Sequence, residues 1–298
     1  MATQTKVDDR SGSTYDRVRE WLTPHESTKL SSVVLMWVLR IALLLFIITP
    51  LYNALRMSLT PIGDLANPVL IPDQLYVENF VRAIEYGAPR FVINSLAYAT
   101  AVTIFNLLVA VPAAYALSRY EFLGKRLFMF TLLFTQMFAA IVIVPGLFIL
   151  SSEVGLLNTY IGFLLPMTAV TLALSVWLLK GFFDSIDIEI EEAAMIDGCN
   201  RLQALRQVII PMSAPGVMTA GIFTFIAGYS NFILPLILFT DQQRYPISVG
   251  IYTLLGGLDT PYAMMMAMTV IGIIPVMIIY AAMQRYIVEG LTSGGVKA

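Results

Sequence analysis

The chain has 298 residues, 58% of them hydrophobic and only 13% charged, with a net charge of −2 and a mean hydropathy of +0.77. So few polar groups cannot cover a soluble domain, so most of the chain is expected to face a lipid bilayer, and the near-neutral balance implies no nucleic-acid partner. With Cys199 the only cysteine and His25 the only histidine, no intrachain disulfide or cysteine metal cluster is possible, and neither a metal site nor a catalytic residue is expected.

In chain order, residues 1–30 form a polar tail with five basic and five acidic side chains, unlike a signal peptide, with a short surface helix expected from Tyr15 to Leu22. Spanning runs follow. A helix rises about 1.5 Å per residue, so about 20 apolar residues cross a hydrocarbon core of about 30 Å. The first run is Val33 to Leu55. A proline-rich loop from Ser58 to Arg90, with Pro61, Pro68, Pro72 and Pro89, leads to the second run, Phe91 to Leu117, and the third, Leu127 to Leu150. The fourth is Ile161 to Leu179, and a polar stretch from Asp184 to Pro211 separates it from the fifth, Ala214 to Phe239. A loop from Asp241 to Tyr262, holding Gly256, Gly257 and Leu258, precedes the sixth run, Ala263 to Tyr286.

Runs this long do not alternate as barrel strands would, so the expected fold class is an all-α membrane protein with six transmembrane helices. The corresponding organisation is a tail at 1–30, a first helix and loop at 31–90, a core at 91–287 that contains the polar stretch 184–211, and a second tail at 288–298.

Basic residues set the orientation. With a cytoplasmic N-terminus, the inner segments carry Lys6, Arg10, Arg17, Arg19, Lys29, Arg119, Lys125, Arg126, Lys180, Arg201, Arg206, Arg285 and Lys297. The outer loops then carry only Arg82, Arg90 and Arg244. This bias predicts both termini and the stretch around Glu192 in the cytoplasm. Arg40 falls inside the first run, so either the helix begins below the membrane and enters it nearer Ile41, or the long Arg40 side chain snorkels.

The stretch 184–211 reads as helix, glycine corner, helix. Ser185 and Asp187 are N-cap residues, and Glu189, Glu191 and Glu192 follow where the helix dipole favours negative charge. Ile190, Ala193, Ala194 and Asp197 fall at i, i+3, i+4 and i+7 and share a face that two alanines keep flat. Gly198 ends the helix, and Asn200 with Gln203 forms a capping box for the next, which has an apolar stripe of Leu202, Leu205 and Ile209 and stops at Pro211. An amphipathic hairpin resting on the bilayer fits these residues as well as a docking element does.

The expected spans contain no Asp, Glu or His. Ion-driven carriers bury such groups, so their absence favours an external power source and a neutral polar solute. No phosphate-cradling loop is present: Gly290 to Lys297 fails because Val296 separates Gly295 from Lys297. Solute contacts are expected from Asn106, Gln136, Thr171, Ser175, Tyr229, Ser230 and Asn231, led by Tyr229, whose ring can stack on a sugar; the alternative for all of them is interhelical hydrogen bonding.

Glu192-Ala193-Ala194-Met195-Ile196-Asp197-Gly198, with Pro211 thirteen residues beyond the glycine, resembles the cytoplasmic coupling loop of permease subunits of ATP-binding-cassette importers. Asn94-Ser95-Leu96, Pro112 to Arg119, Gly155 to Thr159, Trp177 to Phe183 and Gly290 to Lys297 extend the likeness over roughly Ser31 to Ala298, most similar to the smaller, maltose-type permease of carbohydrate importers. That resemblance implies that Glu192, Ala193, Ala194, Asp197, Gly198 and Pro211 belong to a loop gripped by an ATPase. It implies that Gly256, Gly257 and Leu258 face an extracytoplasmic solute-binding protein, and that the C-terminal Gly294 to Lys297 touches the ATPase dimer. Implied partners are a second permease, giving a heterodimer, and two ATPase subunits, with ATP and magnesium on those subunits and no cofactor on this chain. The family's Trp-Asn-Glu of the fifth span is replaced by Tyr229-Ser230-Asn231, which leaves the path contacts open. Rival readings are a permease for a peptide, amino acid or glycerol phosphate; an ion-coupled carrier, which needs an intramembrane charge and usually an internal repeat; and a membrane-embedded enzyme, which needs clustered His, Cys, Asp or Glu.

Overall fold

The structure, a computed structural model, describes residues 30–61, 74–137, 140–255 and 260–293. The surface helix expected from Tyr15 to Leu22, the loop glycines Gly256 and Gly257 with Leu258, and the tail from Gly294 lie outside the described residues. All regular elements among the described residues are helices. They are α1 (Leu30–Ser58), α2 (Glu78–Tyr86), α3 (Ala88–Arg119), α4 (Lys125–Thr135), α5 (Ala140–Glu153), α6 (Tyr160–Asp184), α7 (Ile188–Ile196), α8 (Arg201–Met212), α9 (Ala214–Ser230), α10 (Ile233–Leu238), α11 (Ile247–Tyr252) and α12 (Tyr262–Ser293).

The chain divides into two units, Met1–Asn53 and Ala54–Ala298. Within the first, α1 is apolar on every side, and its large side chains from Val34 to Tyr52 are exposed. A helix without a polar face suits hydrocarbon. Pro50 sits inside it, and the preceding Thr49 hydroxyl donates to the Leu45 carbonyl at 2.6 Å. Arg40 lies 5.4 Å from the Trp37 ring centroid, so its charge rests on an aromatic face of its own helix.

The second unit is built on α3, which packs along both α6 and α9. Gly87, at φ +117, closes α2 and lets α3 start at once, with Pro89 in its first turn. Thr159 caps α6 by accepting the Gly162 N–H at 3.0 Å. In lipid the driving force between helices is close packing, so small residues gather where they cross. A Cβ on Gly228 of α9 would lie 3.2 Å from the Ala99 Cα of α3. Ala110 and Ala114 of α3 and Ala220 of α9 are fully buried in the cluster that also holds Leu205 and Ile209 of α8. Hydrogen bonds cross the same seam: Asn106 donates to the Thr171 hydroxyl at 2.9 Å, and the Ser175 and Thr224 hydroxyls lie 3.1 Å apart.

The six expected runs divide differently. Four helices are long and apolar enough to cross a membrane, in α1, α3, α6 and the Tyr262–Ala282 part of α12, and a fifth crossing counts if the pair α8 and α9, bent by 81°, is taken as one. The third expected run is two helices, α4 and α5, and Gln136 caps the first of them in the middle of the run. The fifth breaks at Asn231 and Phe232 between α9 and α10, where Asn231 Oδ1 accepts the Leu234 N–H at 3.1 Å. At the second break a side-chain amide replaces the backbone partner that an unbroken helix would supply, while at the first the Gln136 amide donates to the Val170 carbonyl of α6 at 3.0 Å. Hydropathy reads the run and does not see the break.

The Ala99–Gly228 crossing is a test of this packing. Gly228→Leu is expected to destabilise the chain by about 1–3 kcal/mol, the usual cost of overpacking, seen as a lower thermal midpoint in detergent. An unchanged midpoint would show that α3 and α9 do not cross there.

Candidate docking elbow

The elbow begins at Asp187, extended at φ −60 and ψ 136, from which α7 starts. Its side chain makes no capping bond; the acidic first turn carries Glu189 and Glu191. Gly198 ends the helix at φ +96. Its N–H donates to the Met195 carbonyl at 3.1 Å, and the Cys199 N–H reaches back to the Ala194 carbonyl at 3.0 Å, the paired bonds of a Schellman stop. No atom lies within 4 Å of a Cβ built there, so the glycine serves the backbone angle and leaves open space above it.

Asn200 then caps α8. Its Oδ1 accepts the Gln203 N–H at 2.9 Å, and Gln203 Oε1 accepts the Asn200 N–H at 2.8 Å. The capping box expected from the residues is formed. Residues 205–209 widen into a π turn. The cause lies just beyond: Pro211 has no N–H to donate, and the Ile210 N–H reaches the Leu205 carbonyl instead. Pro211 is exposed at the end of α8.

Glu191 decides how the elbow sits. It is only 4% exposed. Its Oε1 accepts the Tyr115 hydroxyl, and its Oε2 accepts Arg119 Nε at 2.8 Å. Arg119 also donates Nη2 to the Ile186 carbonyl at 3.0 Å. Next to them the Ser118 hydroxyl donates to Asp184 Oδ1 at 2.7 Å, and Lys180 pairs with Asp184. Arg201 at the start of α8 donates to the Tyr120 hydroxyl at 2.8 Å and lies over its ring; that hydrogen bond raises the guanidinium's proton affinity. On the far side of the turn, Lys125 donates to Glu121 at 2.7 Å and holds its carboxyl below the usual range. Tyr115 and Arg119 of α3 thus tie α7, its C-cap Tyr120 ties α8, and Ser118 ties the end of α6.

These ties rotate α7 relative to the expected face. Ala194 turns inward with Glu191, while Glu192, Ala193, Asp197 and Gly198 are exposed and Ile190 stands at the edge. In α8, Leu205 and Ile209 are buried, but Leu202 is 74% exposed and Ile196 of α7 is 87% exposed. The exposed face therefore combines Glu192, Ala193, Ile196, Asp197, Gly198 and Leu202. Glu191, Tyr115 and Arg119 were not among the expected site residues. Their signal is present: Tyr115 and Arg119 stand at i and i+4, on one face at the end of an apolar helix.

The expected path residues take different places. Asn106 is fully buried on Thr171. Tyr229 is 6% exposed, and its hydroxyl donates to the Gly272 carbonyl at 2.7 Å. Ser230 and Gln136 are exposed, bonded to the Ile226 and Val170 carbonyls. Asn231 is half-buried at the α9–α10 break. Among the described residues no group of three or more His, Cys, Asp or Glu could hold a metal.

Residues 106–293 match the family model described as "Binding-protein-dependent transport system inner membrane component". The chain is 37% identical over 226 residues to the trehalose/maltose transport system permease protein MalG of Thermococcus litoralis, covering 74% of this chain and 81% of that protein. It is 33% identical over 256 residues to the trehalose transport system permease protein SugB of Mycobacterium tuberculosis, covering 85% and 93%. The crystal structure of a bacterial ABC transporter involved in the import of the acidic polysaccharide alginate contains a chain that superposes with a TM-score of 0.76 at 25% identity, covering 89% of this chain and 99% of that one.

The buried ion pair predicts an asymmetry. Arg119→Met alone leaves Glu191 buried and unpaired, and is expected to cost about 3–5 kcal/mol. Arg119→Met with Glu191→Leu is expected to recover at least half of that in thermal melts. Equal loss in the single and double variants would show that the pair is not buried as described.

Proposed function

The chain belongs to the family of binding-protein-dependent transport system inner membrane components, and from that premise we propose that it forms half of the path of an ATP-driven sugar importer whose ATPase grips the α7–α8 elbow. As a permease subunit it is a transport component and not an enzyme. ATP and magnesium belong to two ATPase subunits. A second permease supplies the other half of the path as a heterodimer, and a soluble binding protein delivers solute on the outer side. The chain lies in the cell membrane with both termini and the elbow in the cytoplasm, the orientation that the lysine and arginine bias favours.

One observation carries the docking reading. The charged tie of α7, Glu191 on Tyr115 and Arg119, is buried, and the face left over presents Ile196 and Leu202 largely to solvent beside the exposed Glu192 and Asp197. Bare apolar side chains on a rigid projection, away from the lipid-facing runs, fit a protein partner. Glu192, Ala193 and Gly198 supply a flat, open centre, Ala194 sits beneath it, and Pro211 fixes where the elbow turns into α9.

Trehalose or a maltodextrin is the class favoured, because both relatives described above are named for such sugars. The path side chains with exposed or half-exposed polar groups, Gln136, Ser230 and Asn231, are neutral, which suits an uncharged sugar better than a phosphate ester. Tyr229 and Asn106 are occupied inside the chain, on the Gly272 carbonyl and the Thr171 hydroxyl, and join the helices there. The binding protein meets the loop that holds Gly256, Gly257 and Leu258.

Glu192→Lys or Gly198→Asp is expected to lower ATPase co-purification at least about tenfold, a loss of about 1.4 kcal/mol, while the chain still inserts in the membrane. Normal assembly and normal uptake in both variants would remove the elbow from the ATPase contact.

A further inference from the structure

The family reading accounts for one end of α3; the other end is tied just as firmly, and to a different segment. Asn94 donates from Nδ2 to the Gln243 and Tyr245 carbonyls at 2.8 and 3.0 Å. The buried Ser95 hydroxyl accepts the Ile247 N–H at 2.8 Å. Tyr98 donates to the Arg244 carbonyl at 2.8 Å, while its ring stacks on Phe239 at 5.1 Å. Close packing adds to these bonds: a Cβ on Gly250 of α11 would lie 2.4 Å from Phe91 Cδ2 of α3.

All the hydrogen bonds are side chain to main chain, and together they use four closely spaced residues, Gln243, Arg244, Tyr245 and Ile247. A short irregular segment cannot satisfy its own carbonyls and N–H groups. Here α3 satisfies them, so α3 sets where the loop stands. The same helix ends at Tyr115, Ser118 and Arg119, which hold Glu191, Asp184 and the Ile186 carbonyl. Its 32 residues span about 48 Å at about 1.5 Å each. Pro112 removes one backbone hydrogen bond between the two ties, but Ala110, Ala114 and Leu117 around it are buried in the core and keep that turn in place.

We propose that Asn94, Ser95 and Tyr98 are positioning residues that join the 240–255 loop to α3, so that loop and elbow are the two ends of one strut and move together. The inference rests on the permease reading, since it takes the elbow as the ATPase contact. By linkage, the nucleotide state at one end must bias the loop at the other, and the loop must bias the elbow by the same factor. A packed helix tied at both ends is a physical element for that coupling, and a test of coupling is what such a claim requires.

The test uses the whole importer, with Gln242→Cys as an exposed reporter in the loop and Cys199→Ser to remove the native thiol. The rate of labelling by a membrane-impermeant maleimide is compared between the nucleotide-free complex and the complex trapped with ATP, magnesium and vanadate. The expected difference is at least about fivefold, the low end of allosteric couplings. Asn94→Ala with Tyr98→Phe is expected to reduce it below about twofold, and Tyr98→Phe alone, which keeps the ring stack, to reduce it in part. Ile104→Ala, on the exposed side of α3 and touching neither tie, is expected to leave it unchanged. A full-sized difference in the double variant, or none in the unaltered complex, overturns the strut. Failure of the unaltered chain to assemble with any ATPase overturns the permease reading beneath it.

Discussion

A carboxylate cannot be left alone inside an apolar end of a helix bundle, and Glu191 is placed there. The desolvation of such a group costs several kcal/mol, and only close, hydrogen-bonded partners offset it. Tyr115 and Arg119 supply them from α3, one to each oxygen. This requirement fixes the azimuth of α7. Because Glu191 and Ala194 must face the body, Glu192, Ala193, Ile196 and Asp197 must face away. The exposed face is therefore a consequence of what is buried beneath it, and its chemistry is set by residues that lie out of reach of the surface.

The same logic runs along the whole of α3. Alanines and Gly228 bring α6 and α9 close enough for dispersion contacts to hold without a hydrophobic driving force. Asn106, Thr171, Ser175 and Thr224 then bond across the seam and leave little polar surface for solute. At the end opposite the elbow, Asn94, Ser95 and Tyr98 complete the backbone bonding of a loop that has no sheet or long helix of its own. One helix thus carries three kinds of contact, each in the zone where its physics is favourable: charge and hydroxyls at the ends, small apolar residues between.

The sequence made the class of the molecule and much of the elbow legible for specific reasons. The Schellman stop at Gly198 and the box of Asn200 and Gln203 are local, set by residues three to five apart, and local rules reach them. The membrane class follows from runs of apolar residues long enough to cross. What was not legible depends on tertiary contacts or on single polar residues. Glu191 read as one more acid near a helix start, because its partners lie more than 70 residues away. The expected face at Ala194 was off by the rotation that this buried pair imposes. The breaks at Gln136 and Asn231 are invisible to a hydropathy window. Tyr229 looked available for a sugar because only the fold brings the Gly272 carbonyl to its hydroxyl.

The central claim is that the elbow is a motor contact facing the cell interior, and the side of the membrane on which it lies tests that most directly. Ala193→Cys, in a chain whose Cys199 is replaced by serine, can be probed with a membrane-impermeant maleimide in right-side-out and inside-out vesicles. The account predicts reaction only in inside-out vesicles, with protection when the ATPase is bound. Reaction from the outer side, or no protection by a bound ATPase, would contradict it.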